Sequence, residues 1–348
     1  MTKKSGRKPG KRGKPGKSRE PTATQQASTK VIALDGPPSL LSVRQAAEKE
    51  MANLRRLVEE RSFSSIEEAN EFIAGILESN QGRLPEREPR TDVERAQDIM
   101  YEAWGTSSGK KRAALARRAL EVSADCADAY VLLAAETAKT LREEVDLFEQ
   151  GVRAGERALG ETFFAEAAGH FWGVTETRPY MRARLGLAFA LWGLGQRGAA
   201  IENAFEMLRL NPNDNQGVRA LLLEWLFTEG RDEEAGTLLD SYEEDASATW
   251  YYGQALHAYR TEGKSAKSDE LLREAMRENV HVPNYLFGEK EERWHAEQHI
   301  TLGGESEAAE YAADFGGIWY FTPGALAWLR EVRGEAGGEV RVGGRGRR

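Results

Sequence analysis

Apolar side chains recur every three or four positions along most of the chain, which is the spacing of an amphipathic helix. Between residues 39 and 61 this stripe consists of Leu40, Val43, Ala47, Met51, Leu54 and Val58. A second stripe consists of Ile66, Ala69, Phe72, Ile73, Ile76 and Leu77. Ser64 and Ser65 precede it, each followed three residues later by a glutamate, a pattern that starts a helix. The sequence therefore predicts a helical hairpin over residues 39–80.

From 91 to 280 the helical pattern repeats with a period close to that of tetratricopeptide units, which are antiparallel helix pairs of about 34 residues. The clearest unit runs from Met181 to Asp214. Glycines suited to the turn within a pair recur at Gly195, Gly230 and Gly263, 35 and 33 residues apart. We predict about five such units, some of them degenerate.

The remaining segments differ in composition from the repeats. Residues 1–38 are rich in Lys, Gly, Pro and Ser and are predicted to form a disordered basic arm, and the tail 334–348 is predicted to be disordered too. Residues 281–333 are predicted to form an irregular helical cap at the end of the repeats. Its closing aromatic residues are Trp319, Tyr320, Phe321 and Trp328. No alternating strand pattern occurs, so the predicted class is all-α, a tetratricopeptide-type solenoid.

Charge is divided unevenly along the chain, whose formal net charge is −8. Residues 1–19 carry nine basic side chains and no acidic one, and residues 341–348 carry four arginines. The body between them keeps 35 basic against 56 acidic side chains, a formal charge of −21. The basic arm could attract nucleic acid without reading its bases, touch an anionic membrane, or fold back onto the acidic body. A solvated arm is the commonest state of such segments.

Composition also bears on location. No apolar run approaches the ~20 residues that cross a bilayer. The basic N-terminus is not followed by the apolar segment of a secretory signal. Cys126 is the one cysteine, so a disulfide within the chain and a cysteine-based zinc site are excluded. The expected location is the cytoplasm.

Candidate catalytic chemistry is sparse. His295 and His299 stand four residues apart and could share a metal on one face of a helix. However, the glutamate does not directly follow the first histidine, as the zincin pattern needs, and no third ligand is evident, so ordinary surface histidines are the preferred interpretation. The sequence has no phosphate-binding glycine loop, nucleophile elbow or Ser/His/Asp grouping. We expect a non-enzymatic protein without cofactor or metal.

Two polar segments have both a functional and a structural interpretation. Gly169–Gly173 places His170 among aromatic residues and could line a binding groove, although packing between repeats is the preferred explanation. Asn211–Arg219 joins two repeats, and capping of the next helix by Asn213 or Asp214 explains most of its polarity.

The first helices of tetratricopeptide units line the concave face of the stack, and a partner is expected to bind there. The predicted partner-binding residues are Arg178, Arg182, Phe189, Trp192, Glu224, Trp250, His257 and Arg260, with Phe227 beside them. The arginines, together with Arg184, could hold partner carboxylates or pair with neighbouring repeats. Leu185 and Phe189 stand where a chaperone-type carboxylate clamp has polar groups, so binding of a chaperone tail is not expected.

Four segments resemble the suppressor of tumorigenicity 7 family. They are Tyr101–Trp104, Cys126–Leu133, Glu176–Arg184 and Asn211–Arg219, and the run Asn-Pro-Asn-Asp-Asn-Gln-Gly in the last is the most specific. The resemblance covers about 95–280. Animal members of that family are membrane proteins with hydrophobic segments, so this chain resembles soluble, prokaryote-type relatives more closely. The resemblance implies a helical scaffold and brings no enzymatic activity.

Two functions remain open from the sequence. The first is a helical repeat scaffold that binds a basic or mixed-charge protein segment in its concave groove. The second is a nucleic-acid- or ribosome-associated factor anchored by the Lys-rich arm, residues 1–19.

Overall fold

The computed structural model describes residues 38–290 and 300–342, and within these ranges the chain is helical with no β-strand. The all-α prediction is therefore confirmed for the described residues. The α-helices are α1 (Pro38–Val58), α2 (Ile66–Ser79), α3 (Asp92–Trp104), α4 (Gly109–Val122), α5 (Ala127–Thr137), α6 (Leu141–Leu159), α7 (Glu161–Ala167), α8 (Arg178–Gly193), α9 (Arg197–Leu210), α10 (Val218–Thr228), α11 (Asp232–Ser241), α12 (Ala248–Glu262), α13 (Ala266–Glu278), α14 (Val282–Leu286), α15 (Glu305–Phe321) and α16 (Ala325–Val342). Two short 3₁₀ helices, Phe171–Gly173 and Thr175–Thr177, precede α8.

Consecutive helices pack against each other from α3 to α13, with α7 and the 3₁₀ helices as an insertion between α6 and α8. The pairs are α3/α4, α5/α6, α8/α9, α10/α11 and α12/α13, and the second helix of each packs on the first helix of the next. First helices of adjacent pairs also touch, as α5 does with α8. The first helices begin 35, 51, 40 and 30 residues apart, so the pairs stack regularly in space while their length varies in sequence.

Turn glycines make the tight connections inside three pairs. Gly195, Gly230 and Gly263 have φ values of 81°, 70° and 73°. This left-handed region is open to glycine at no steric cost, so the turns predicted at these positions are confirmed. The predicted start of α2 is confirmed as well, because the Ser65 hydroxyl accepts a hydrogen bond from the Glu68 amide at 3.2 Å.

The core is one continuous cluster of buried apolar side chains from Val131 to Val332, with a smaller cluster among α3, α4 and α5. Close approach of helices depends on small residues. A Cβ atom added at Gly155 on α6 would lie 2.8 Å from the Tyr180 Cβ atom and 3.3 Å from its Cα atom on α8. This contact fixes how closely α6 and α8 pack.

The C-terminal helices close the stack against its first helices, because α15 packs on both α10 and α12. Trp319 and Trp328 are buried, and Trp328 stacks on Tyr259 of α12 with ring centroids 4.4 Å apart. The prediction of an aromatic cap is confirmed for these two tryptophans. It is wrong for Tyr320 and Phe321, which are 72% and 80% exposed, since α15 turns its opposite face to the core.

The helix ahead of the stack buries a different face from the expected one. On α1, Ala47 and Met51 of the predicted apolar stripe are exposed, and that part of the prediction is wrong. Among residues 45–58 of α1, the part whose burial is described, the buried positions are Gln45, Glu48, Asn53, Arg56 and Leu57. Four of these five are polar: Arg56 pairs with Glu94 and Asp98 of α3, Glu48 pairs with Arg182 of α8, and Asn53 donates to the Pro85 carbonyl.

Two predicted boundaries can be placed on the structure. The two helices of the predicted hairpin 39–80 are present as α1 and α2, but α2 contributes no buried residue and makes few contacts with α1, so the two do not pack as a hairpin. The predicted tail begins at 334, whereas α16 ends at Val342. The predicted arm lies outside the described residues except for Pro38, the first residue of α1.

Replacing Gly155 with alanine should lower the free energy of unfolding by about 1–3 kcal/mol, because the added methyl group meets the backbone and Cβ atom of Tyr180. The matched control is Gly198→Ala on α9, where an added Cβ atom meets nothing within 4 Å. That change should stabilise the chain by about 0.5 kcal/mol. Urea unfolding of both variants measures the difference; equal midpoints would contradict the assigned packing of α6 on α8.

Candidate partner-binding site

A charged contact surface joins α1 to the first helices of the stack. The side of α3, α5 and α8 that α1 covers is named the first-helix face. It is the surface on which the sequence placed the start of the predicted groove. Glu48 meets Arg182 of α8, whereas Arg55, about two turns later on α1, meets Glu176 just before α8, so α1 runs antiparallel to α8. Arg56 meets Glu94 and Asp98 of α3.

Arg182 lies at the centre of this surface and binds two carboxylates from different helices. Its Nη1 and Nη2 atoms donate to the two oxygens of Glu48 on α1 at 3.0 and 2.9 Å. Its Nε and Nη2 atoms donate to Asp128 on α5 at 2.8 and 2.6 Å. Arg182 therefore ties three helices together through paired, planar hydrogen bonds.

All three charges of this triad are removed from water. Arg182, Glu48 and Asp128 are 3%, 4% and 0% exposed. Burial alone would lower the pKa of Arg182, but the charges and hydrogen bonds of the two carboxylates raise that pKa well above its usual range. Gln97 also donates to Asp128, at 2.7 Å. Each carboxylate is thus satisfied, which is the condition under which a buried ion cluster is tolerated.

A second cluster holds the other end of α1. Arg56 donates to both oxygens of Asp98 at 3.0 and 3.1 Å and to Glu94 at 3.0 Å. Arg55 forms an ion pair with Glu176 in the second 3₁₀ helix. The face of α1 that contacts the stack therefore carries the acidic residue Glu48, followed about two helical turns later by the basic residues Arg55 and Arg56.

A small cavity of about 80 Å³ lies beneath α1, beside these ion pairs. Apolar groups form much of its lining, and they include Ala52, Val93, Ala127, Ala158 and Pro179. Charged groups at the same cavity are Arg55, Arg56, Glu59, Glu94, Asp125 and Glu176. Its size and lining suit one apolar side chain surrounded by charges, and not a drug-sized ligand.

Cys126, a residue of a nucleophilic type, lies at this surface. Cys126 borders the cavity, but burial, reinforced by the nearby charge of Asp128, raises the pKa of its thiol to about 12. A nucleophilic cysteine needs the thiolate form at neutral pH. Residues 38–290 and 300–342 contain no cluster of three or more groups able to hold a metal, and His295 and His299 lie outside them.

Two of the predicted partner-binding residues meet at the triad. Arg178 approaches Glu48 with 3.6 Å between Nη1 and Oε2, and it also donates to the Trp172 carbonyl at 3.1 Å. Arg182 is buried in the triad. Of the two interpretations given for these arginines, the structure shows pairing within the chain: Asp128 of the neighbouring repeat and Glu48 of α1 supply the carboxylates.

A second group forms at the end of α8. Trp192 stacks on Trp225 of α10 with centroids 4.5 Å apart, and the Arg197 guanidinium lies 3.8 Å from the Trp192 ring centroid. Phe189 meets the same Trp225 edge-on at 5.8 Å and is 6% exposed. Of these predicted residues, Trp192 retains a half-exposed side chain.

The remaining predicted residues lie on α10 and α12. His257 and Arg260 both bind Asp232, the first through its Nε2 atom and the Asp232 carbonyl at 2.9 Å and the second through Nε and the carboxylate at 2.7 Å. Trp250 is 1% exposed and donates to the Leu239 carbonyl. Glu224 is half-buried. The eight residues thus form separate groups along the stack, and their binding of a partner stays a prediction.

The polar segments have largely structural roles. Asp214 caps α10, since its carboxylate accepts from the Val218 and Arg219 amides at 2.7 and 2.9 Å. Phe171 is fully buried and packs on Tyr180, while His170 is exposed. Capping and packing, the interpretations preferred from the sequence, account for both segments.

Sequence reasoning missed Glu48 and Asp128, the partners of Arg182. Asp128 gives one signal, a single charge inside the otherwise apolar run from Cys126 to Leu133, whereas Glu48 stands beside Lys49 and Glu50 and gives none. The partners lie 134 and 54 residues from Arg182 along the chain, so no local pattern connects them.

A family model and several curated proteins that are similar to this chain carry the same family description. The family model described as ST7 protein matches residues 89–170, which include α3 to α7. Proteins named Suppressor of tumorigenicity 7 protein-like are 28% identical over 265 residues in Homo sapiens and 29% identical over 265 residues in Rattus norvegicus. Each match covers 69% of this chain, and 46% and 47% of the respective relative.

Protein ST7 homolog of Drosophila melanogaster is 27% identical over 261 residues, covering 67% of this chain and 47% of the relative. The chain therefore spans about half the length of the curated relatives it matches. No solved structure matches it. A search for apolar helices of bilayer-spanning length found none within residues 38–290 and 300–342.

Replacing Arg182 with leucine should lower the free energy of unfolding by about 3–5 kcal/mol, because the buried Asp128 loses its counter-charge and the buried Glu48 keeps only the more distant Arg178. Amide exchange in residues 45–57 should accelerate more than in α12, since α1 loses its central contact. The control is Arg209→Leu, which removes a largely exposed pair with Glu206 and should change stability by at most ~0.5 kcal/mol. Similar losses in both variants would contradict the role given to the triad.

Proposed function

We propose that the chain is a non-enzymatic scaffold whose first-helix face binds a helical segment of another protein. The observation that supports this most directly is α1 itself, a helix held on that face by Arg182, Arg178 and the carboxylates of α3. The face has the charges, spacing and cavity needed to receive a helix, and the chain's own helix occupies it. A helix bound on this face follows the helix-in-groove mode of peptide recognition.

The stacked helix pairs support a tetratricopeptide-type solenoid as the finer description of the fold, since consecutive pairs share contacts between first helices and carry turn glycines. The family match and the motifs support membership of the suppressor of tumorigenicity 7 family. The buried, protonated thiol of Cys126 supports a non-enzymatic role, because it is not a nucleophile at neutral pH.

The charges on the first-helix face define the partner's chemistry. Arg178 and Arg182 receive a carboxylate, whereas Glu94, Asp98 and Glu176 receive basic groups. A suitable segment therefore carries an acidic residue followed seven or eight positions later by arginine or lysine. This mixed-charge order is a more specific form of the basic or mixed-charge partner expected from the acidic body.

Whether the first-helix face binds a separate helix can be tested with α1 itself as the probe. A protease site inserted after Ser62, in the connection between α1 and α2, allows α1 to be cut from the rest of the full chain. After cleavage, a fluorescent peptide of residues 38–60 should exchange into the site and raise fluorescence polarisation. A Glu48→Gln peptide should bind about 100-fold more weakly, because it leaves the Arg182 charge incompletely paired.

The matched control is a Glu50→Gln peptide, since Glu50 is exposed on α1 and should not affect binding. Equal affinity of the Glu48 and Glu50 variants would contradict recognition by charge. Failure of the wild-type peptide to exchange at all would show that the face is a permanent internal contact and would overturn the proposed function.

The alternative function is association with nucleic acid or ribosomes through residues 1–19. Nine basic side chains without an acidic one support it, because phosphate attraction needs only such charge. Full-length protein should then bind single-stranded RNA with an affinity that falls steeply with salt, and deletion of residues 1–19 should remove that binding. Equal binding by the intact and truncated chains would contradict this alternative.

A further inference from the structure

Helix α2 is amphipathic, yet none of its residues is buried. Its apolar positions follow a spacing of three and four residues, as a helix with one packed face requires. They are Ala69, Phe72, Ile73, Ile76 and Leu77, all of them half-buried. Ile66, at the start of the helix, is 76% exposed. This apolar face is therefore covered only in part, and an apolar face that is not fully covered can receive a partner.

Helix α2 lies in a segment that leaves the stack after α1 and returns to it before α3. Arg90 pairs with Glu59 at 3.2 Å, and Arg87 pairs with Glu60 at 3.4 Å. Asn53 on α1 also forms hydrogen bonds with the segment that connects α2 to α3. One of them joins its side-chain amide to the Pro85 carbonyl at 2.9 Å. These contacts hold the segments before and after α2 together at α1, while α2 itself lies outside the core.

The helix is nevertheless well defined by local contacts. The Ser64 amide donates to the Glu68 carboxylate at 2.7 Å, in addition to the cap made by Ser65. At the other end, the Asn80 amide donates to the Ile76 carbonyl at 2.9 Å. A helix that is already formed loses less conformational entropy when it binds, which favours docking.

Charge restricts what could cover this face. Residues 66–79 contain Glu67, Glu68, Glu71 and Glu78 and no lysine or arginine. An anionic membrane would repel such a helix, because interfacial helices carry basic polar faces. A second copy of α2 would repel it as well. The complementary surface is an apolar groove bordered by basic side chains.

We propose that α2 is a docking helix that inserts Phe72, Ile73 and Ile76 into an apolar groove, rimmed by lysine or arginine, on another protein. Phe72 is already oriented by its surroundings, with the Phe63 ring centroid at 5.4 Å and the Arg61 guanidinium at 4.6 Å. The three anchors have the spacing used by helices that bind in grooves. No residue of the first-helix face takes part, so the proposal is independent of the function proposed for that face.

The first test establishes that the apolar face is not needed for folding. Phe72→Ala and Ile76→Ala in the full chain should leave the midpoint of thermal unfolding within about 2 °C of the wild type, because neither side chain is buried. Phe171→Ala, which removes a fully buried ring, is the control that should lower the midpoint by more than 5 °C or abolish folding. Large losses at Phe72 and Ile76 would make the face part of the core and overturn the proposal.

The second test identifies the occupant. A photoreactive phenylalanine analogue replaces Phe72 in the full chain, in cells that make the protein naturally, with the exposed Glu71 position as the control. The Phe72 position should crosslink to one other protein and the Glu71 position should not. A crosslink confined to the chain itself, for example to residues 1–37, or no crosslink at all, would overturn the proposal.

The crosslinked protein, once purified, is titrated with a labelled peptide of residues 61–82. Phe72→Ala and Ile76→Ala should each weaken binding about tenfold or more. Glu71→Gln and added salt should weaken it a few-fold, since rim charges contribute modestly. Equal binding by all peptides, or binding of the peptide to phosphatidylcholine vesicles in place of the protein, would overturn the assigned partner chemistry.

Discussion

The guanidinium of Arg182 is buried, where an ionised group is unfavourable unless hydrogen bonds and opposite charges compensate it. The positions of α1, α5 and α8 relative to one another depend on the two carboxylates that provide this compensation. Three buried charges from α1, α5 and α8 meet within hydrogen-bond distance. Because two carboxylates face one central arginine, removing any member leaves the others without full compensation. An apolar contact of similar area would hold α1 in many related positions. The paired hydrogen bonds of the triad define one position, since their directions are fixed.

The same triad explains why the predicted groove does not lie open along its whole length. Arg182 was predicted as a partner contact and is a contact of α1, whose Glu48 provides the carboxylate. Further along, α15 packs on α10 and α12. The first helices are thus covered at both ends by helices of the same chain. Trp192, which stacks on Trp225, lies between these two regions and remains half-exposed.

The sequence was sufficient wherever a feature depends on neighbouring residues. Gly195, Gly230 and Gly263 could be predicted as turns because only the local backbone determines their positive φ. The cap at Ser65 and the capping role of Asp214 follow from the same local chemistry. The repeating helix pairs were visible because each packs mainly on its immediate neighbours.

The candidate site was less predictable because it combines distant segments. Glu48 looks like the polar side of an amphipathic helix, and only a partner 134 residues away makes it the buried side. The apolar periodicity of α1 therefore pointed to Ala47 and Met51, which are exposed. Tyr320 and Phe321 show the same limit, since hydrophobic composition says nothing about which face of α15 meets α12.

Burying charges has a consequence for how firmly α1 is held. The attraction within the triad is offset by the cost of taking three ionised groups out of water, so the triad stabilises the docked α1 by much less than its attraction alone would suggest. Apolar packing of the same helix would have been the stronger attachment. A helix held mainly by charge can be released without exposing a large apolar surface, and a competing segment must reproduce the same charges to replace it. The polar character of the α1 contact is thus the feature on which the proposed recognition of a partner helix rests.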